Sequence, residues 1–227
     1  MIKHWIFDLD GTLLDTAPDL ARAIQDTLLA FNLPSVTLEE TKSFIGGGAR
    51  QFVKAALKGK GEDPAFFETF YSAYMVRYEA YQLGNARIYP GIKEVLLSMK
   101  NRKHHGYVFS NKPHHLTVQL IQHVFPGVFT GVHGHVPGTL PKPDRTMFDL
   151  FAKSHHLDLK QAVMIGDAPP DILFAQKIGI PCIALSYGYT DINVLKQHRP
   201  DLLVSSADQI IPAIQTLEKR LRISPEK

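Results

Sequence analysis

The sequence predicts an α/β fold, a Rossmann-like parallel sheet carrying an inserted α-helical subdomain, and three observations lead to it. Short apolar runs alternate with amphipathic segments along most of the 227 residues, which is the pattern of strands joined by crossover helices. Three of those runs end in polar residues suited to chemistry, and ligands of open parallel sheets bind beyond the carboxyl ends of the strands. One long interval after the first run has helical periodicity and no good strand.

The first run, Trp5 to Leu9, is apolar except for Asp8 and is followed by Asp10 in a Gly-Thr turn. The interval that follows contains the clearest helical stripe of the chain, Phe67, Phe70, Tyr71, Tyr74, Met75 and Tyr78, at i, i+3, i+4 spacing. Such a stripe reads as packing. Residues 16–87 are therefore expected to form the inserted subdomain, with 1–15 and 88–227 forming the α/β core. Tyr89-Pro90-Gly91 reads as a turn that starts a helix back on the core. The remaining strand candidates are Tyr107 to Ser110, Val128 to Val132, Ala162 to Ile165 and Cys182 to Leu185, and Ser224 to Lys227 reads as a frayed tail.

Composition narrows the class. Hydrophobic residues make up 44% and charged residues 21%, so a normal core is available and disorder is not expected. The net charge of +3 comes from 25 basic and 22 acidic residues with no long run of either sign, which implies no nucleic-acid partner but suits a small anionic substrate. No apolar stretch is long enough for a membrane span, and MIKHWIFDLDG lacks a secretory pattern, so a cytoplasmic location is expected. The single cysteine, Cys182, excludes an internal disulfide and reads as buried and inert.

A carboxylate at the end of a buried run is costly unless something pairs with it. Asp8 and Asp10, on the same side of an extended segment, should repel each other and call for a cation. Gly11 permits a tight backbone, and Thr12 brings a hydroxyl to the same mouth.

With Asp8-Leu9-Asp10-Gly11-Thr12, Ser110-Asn111-Lys112-Pro113 after a strand, Lys142-Pro143, and Gly166-Asp167 followed by Asp171, the chain resembles the haloacid dehalogenase-like hydrolases, in particular their phosphoglycolate phosphatase group. The resemblance spans nearly the whole chain. It implies a parallel α/β core with a helical cap inserted after the first motif. It also implies a magnesium-dependent phosphatase of small, acidic phosphomonoesters such as 2-phosphoglycolate, working through an aspartyl-phosphate. Asp8 is then the nucleophile, usable against a phosphate dianion only where cations neutralise both. Asp10 is the acid that protonates the leaving alkoxide and the base that later activates water. Mg2+ would be held by Asp8, the backbone carbonyl of Asp10, Asp167 and, as an outer ligand, Asp171. Lys142 would hold nucleophile and phosphoryl oxygen together. Thr12, Gly47, Arg50, Ser110 and Asn111 join the substrate-binding set, with Arg50 placed to grip a second anion such as a carboxylate.

Two stretches depart from the family pattern. Ala168-Pro169-Pro170 stands where a hydroxyl residue usually follows the Gly-Asp pair, and the segment from His133 to Thr139 replaces one that is usually more acidic. Tyr187-Gly188-Tyr189 resembles the loop these phosphatases carry after their last core strands. Gly46-Gly47-Gly48 lacks the lysine and hydroxyl residue of a P-loop. The histidine pairs at 104–105, 114–115 and 155–156 do not share a helical face and are expected at a solvated surface. His133 and His135 could share a strand face, without an evident third ligand. Alternatives on the same fold are a pyrophosphatase or a sugar phosphomutase. A signalling receiver and a non-catalytic phosphate-binding protein come from other classes. The expected assembly is a monomer or homodimer.

Overall fold

At the centre of the chain's main sheet lies β1 (His4–Phe7), whose residues alternate between two apolar layers: Trp5 and Phe7 enter one cluster and Ile6 the other. The computed structural model describes residues 1–223, and the expected frayed tail at 224–227 lies outside the described residues. After β1 come β2 (Leu14–Asp15), then α1 (Ala17–Ala30), α2 (Leu38–Phe44), α3 (Ala49–Ala56) and α4 (Pro64–Tyr81). The chain returns through β3 (Arg87–Ile88) and α5 (Ile92–Asn101) to β4 (His105–Pro113) and α6 (His114–Val124). It continues with β5 (Gly131–His135), α7 (Thr146–Ser154), β6 (Ala162–Gly166), α8 (Pro169–Ile178), β7 (Cys182–Leu185), α9 (Ile192–Gln197), β8 (Leu202–Val204) and α10 (Ile210–Ile223).

Six strands form one sheet in the order β5-β4-β1-β6-β7-β8, and every pair is parallel. The strand order reverses at β1, which makes its carboxyl end the crevice where an open sheet accepts ligands. Pairing of Phe7 with both Val108 and Ile165 sets Asp8, Ser110 and Asp167 at that end, each one or two residues beyond the pairing. α5, α6 and α10 cover one face and α7, α8 and α9 the other, each helix presenting a buried apolar stripe to the sheet.

The strand expected over Val128 to Val132 lies instead at Gly131–His135, because Val128 and Phe129 turn into the cluster beneath α5 and α6. β8 is a three-residue edge strand, too short for a period-two pattern to show. β2 and β3 pair antiparallel, Leu14 with Ile88 and Asp15 with Arg87. The four-helix excursion therefore leaves and re-enters through a small ribbon, and it follows β2 rather than β1 directly.

α1 to α4 enclose an apolar cluster of their own, from Leu20 on α1 to Phe67, Phe70, Tyr74 and Tyr78 on α4, joined by Leu116 of α6. Burying a side chain of this size stabilises by about 1.5–3 kcal/mol, so the cluster can hold short helices that would be marginal alone. α2 starts on a capping box in which Thr37 Oγ1 accepts from Glu40 N at 3.1 Å and Glu40 Oε2 accepts from Thr37 N at 2.7 Å. Cys182 is buried in β7 and free, as expected.

One histidine of each pair, His105, His115 and His156, is exposed as expected, and the other is half-buried. His104 packs edge-on against Trp5, and His155 against Tyr107 and Phe151. His114 lies 5.2 Å from His133, ring to ring, and His133 stacks on Phe109. Burial, followed by the neighbouring His114 and His135, lowers the pKa of His133.

Candidate active site

The end of β1 delivers Asp8, whose backbone N–H still belongs to the sheet through Ile165 O at 2.9 Å. The carboxylate is 6% exposed, and Lys142 Nζ stands 3.0 Å from its Oδ1. That approach is an ion pair without hydrogen-bond alignment, so Oδ1 remains a buried acceptor with unused capacity. Asp8, Asp167 and Asp171 each offer an oxygen within 4.8 Å of the others, and all three are buried. Among the described residues this is the one group of three or more such ligands, and the histidines form none.

Electrostatics follow from that crowding. Burial, and then the charges of Asp8 and Asp171, raises the Asp167 pKa well above the usual carboxylate range. Asp171 is pushed up to about 6 by burial, against the pull of Lys142. Burial works against the Lys142 ammonium, but Asp171 and Asp8 outweigh it and its pKa is raised. Three buried carboxylates facing one lysine leave negative charge uncompensated, and hard oxygen donors of this kind suit a divalent cation.

The surrounding shell is built from distant parts of the chain. Thr12 Oγ1 donates to Asp167 Oδ1 at 2.7 Å, and Tyr189 N donates to Asp167 Oδ2 at 2.9 Å. Thr12 is fully buried and does not line the cleft, and its hydroxyl is engaged by the Asp167 carboxylate. Gly11, at φ 83°, and Gly188 lie so close to Asp167 that a Cβ at either would collide with it. Lys142 Nζ also donates to Asp171 Oδ1 at 2.7 Å and to Phe109 O at 2.7 Å. Asp171 Oδ2 accepts from Ala168 N at 3.0 Å, a backbone donor at the position where a hydroxyl residue was expected. Asp171 thus holds the Lys142 ammonium while standing in the three-acid group.

Asp10 faces another way. Its Oδ1 accepts from Thr16 Oγ1 at 2.6 Å and from Lys112 Nζ at 3.3 Å, and its carboxylate is outside the three-acid group. The expectation for a cation there concerned its backbone carbonyl, not this carboxylate. Asp8 and Asp10 open together into a cleft between the sheet end and the helices of the excursion. Ser110, Asn111 and Lys112 line it from β4, and Tyr74 and Tyr78 from α4. Part of the aromatic stripe that reads as packing thus ends at the cleft.

Gly46 and Gly48 line the cleft, whereas Gly47 does not. Asn111 Nδ2 donates to Gly46 O at 2.8 Å and to Lys142 O at 3.2 Å, and its Oδ1 accepts from Lys142 N at 2.6 Å. Asn111 therefore ties the glycine loop and the Lys142 loop to the sheet. Arg50 differs most from expectation: it is half exposed, paired with Glu68, and stacked 4.9 Å from the rings of Phe67 and Tyr71. It does not line the cleft, because an exposed acid and two rings on α4 capture its guanidinium.

Three residues at the site have no role that the sequence alone reveals. Lys112 stands within a motif, two residues past the polar end of a strand, which is a usable signal. Tyr78 belongs to the stripe that reads as packing and Tyr189 to the loop after the last core strands, and their partners are 34 and about 170 residues away.

Comparison with known proteins gives one picture. The family model described as haloacid dehalogenase-like hydrolase matches residues 5–185. The chain is 32% identical over 213 residues to phosphoglycolate phosphatase 1 of Pseudomonas aeruginosa, covering 91% of this chain and 78% of that protein. It is 32% identical over 213 residues to phosphoglycolate phosphatase of Agrobacterium fabrum, covering 92% and 91%. Among solved structures, that of a predicted phosphoglycolate phosphatase from Haemophilus somnus superposes with a TM-score of 0.81 at 28% identity, over 94% of this chain and 98% of the other.

Proposed function

We propose, from the premise that this chain belongs to the haloacid dehalogenase-like hydrolase family, that it is a magnesium-dependent phosphatase of small acidic phosphomonoesters, with 2-phosphoglycolate the foremost substrate. The observation that carries the reading is Asp8 at the sheet's crevice with Lys142 at 3.0 Å and two further buried carboxylates beside it. Relatives named phosphoglycolate phosphatase support the substrate class.

Asp8 attacks phosphorus through a carboxylate oxygen, and the bond from phosphorus to the alcohol oxygen breaks. Lys142 holds the nucleophile and offers its charge to a phosphoryl oxygen. Asp10 gives its proton to the departing alkoxide. With Oδ1 engaged by Thr16 and Lys112, Oδ2 is the oxygen available to carry that proton. The same carboxylate then takes a proton from water as the water oxygen attacks phosphorus, which releases phosphate and restores Asp8. Asp8 and Asp167 would hold magnesium, with Asp171 restraining Lys142. When bound, the ion offsets the repulsion between the Asp8 carboxylate and the phosphate dianion. Ser110 stands in the cleft to receive remaining equatorial charge, and residues 16–87 serve as the cap over it. Such an enzyme meets its substrate in the cytoplasm, as a monomer or homodimer.

The test is phosphate release from 2-phosphoglycolate, other small phosphomonoesters and pyrophosphate, with magnesium or chelator, by wild type and Asp8→Asn. Release that needs both magnesium and Asp8 and is fastest on 2-phosphoglycolate is the expected result. Undiminished release by Asp8→Asn overturns the mechanism, and a faster rate on pyrophosphate overturns the substrate class.

A further inference from the structure

The cleft above Asp8 is walled by acids, tyrosines, Ser110, Asn111 and apolar residues, and among the described residues that line it Lys112 is the one cation. Its side chain is 1% exposed, which is a costly place for an ammonium unless anions meet it there. One anion, Asp10, and one neutral phenol, Tyr78, meet it there. Lys112 Nζ donates to Asp10 Oδ1 at 3.3 Å and to the phenolic oxygen of Tyr78, and it lies 4.4 Å from the centre of the Tyr78 ring. Lys112 comes from β4 and Tyr78 from α4, so the ammonium stands where the sheet and the helical layer meet.

We infer that Lys112 is the residue that recognises the substrate's second anionic group, a carboxylate carried one carbon from the ester oxygen. The inference rests on the phosphatase reading and deepens it.

Asp10 must come within hydrogen-bond distance of the leaving oxygen, about 3 Å, to protonate it. Lys112 Nζ is 3.3 Å from the same carboxylate, on the leaving-group side of the site. In a substrate whose ester oxygen bears a methylene and then a carboxylate, that carboxylate lies within reach of a group touching Asp10. The phosphoryl end has its own cation in Lys142, which is bound to Asp8 and Asp171. The leaving-group end has Lys112. Arg50, the other cation that the sequence offered for this work, is committed to Glu68 on the outer surface of the helices. A charged hydrogen bond formed to the substrate by a buried ammonium separates acidic esters from neutral ones by more than any apolar contact here could.

A rival role is that Lys112 only positions Asp10, and it predicts a different result. The experiment measures kcat/KM with saturating magnesium for 2-phosphoglycolate and for ethyl phosphate, which has the same two-carbon skeleton without the carboxylate. Wild type, Lys112→Met and Lys112→Arg are compared. Wild type should prefer the acidic ester. Lys112→Met, which keeps the length and apolar stem of the side chain, should lose about 10–100-fold more on 2-phosphoglycolate than on ethyl phosphate, and Lys112→Arg should retain most of the preference.

Equal losses on both esters in Lys112→Met overturn the inference in favour of the positioning role. A wild type that hydrolyses both esters equally well also overturns it, and that result requires no variant to fold. A wild type that hydrolyses no phosphomonoester removes the phosphatase reading itself, an outcome distinct from the other two.

Discussion

Lys142 Nζ lies 2.7 Å from Asp171 Oδ1, and both side chains are 1% exposed. A buried pair of this kind gives little net stability while intact, but breaking it leaves an uncompensated charge that costs about 3–5 kcal/mol. Lys142→Met should therefore lower unfolding free energy by an amount of that order in urea titration, and lower kcat by about 10²–10³-fold through loss of the phosphoryl contact. A variant as stable and as fast as wild type would refute the assignment.

Asp167 stands among like charges, and its removal should show this directly. Asp167→Asn is expected to raise the melting temperature of the metal-free protein while abolishing the rise that magnesium produces in wild type. The pH dependence has a definite sign. Asp171, at about 6, and Asp167, higher than usual, have folded pKa values above their unfolded ones. Protonation therefore favours the fold: the contribution of both is fully present below about pH 4, that of Asp171 is lost as pH rises through about 6, and that of Asp167 is lost at a pH well above the usual carboxylate range. Chelator-treated protein should melt at lower temperature at pH 7.5 than at pH 5, and magnesium should restore much of the difference. Calorimetry over that range checks both statements.

Tyr189 ties the start of α1 to the sheet end. Its phenolic oxygen accepts from Thr16 N at 2.7 Å and Ala17 N at 3.0 Å and donates to Asp15 Oδ1 at 2.8 Å, while its backbone N–H holds Asp167. Tyr189→Phe removes the acceptor of Thr16 N–H, leaves Ala17 N–H only its longer bond to Asp15 Oδ1 at 3.3 Å, and should cost about 1–3 kcal/mol. KM for 2-phosphoglycolate should rise more than kcat falls, because the tie sits at the base of the helices that cover the cleft. Steady-state kinetics that show kcat alone changing would contradict this.

Arg50→Ala should leave the preference for acidic esters unchanged. The residue's pairing with Glu68 is on the surface, where such pairs contribute about 0–1 kcal/mol. A selective rise in KM for 2-phosphoglycolate would return Arg50 to the cleft.

How much was legible in the sequence differs from residue to residue, for physical reasons. The strands Ala162–Gly166 and Cys182–Leu185 were readable to within a residue, because a strand buried on both faces must be apolar along its length. Asp8, Ser110 and Asp167 were readable as one site, because a parallel sheet places the ends of its strands side by side. The stripe from Phe67 to Tyr78 showed a helix through its period alone. By itself, then, the sequence determined the fold class, the order of the five longer strands and the acids at the crevice, all of which depend on local pattern and on the rules of parallel sheets. Only the tertiary structure decided that Thr12 serves Asp167 across 155 residues, that Lys112 meets both Asp10 and Tyr78, and that Arg50 turns away to Glu68. A long or polar side chain takes its direction from whichever charge, ring or acceptor packing brings within about 3–4 Å, and those partners come from elements far apart in the chain.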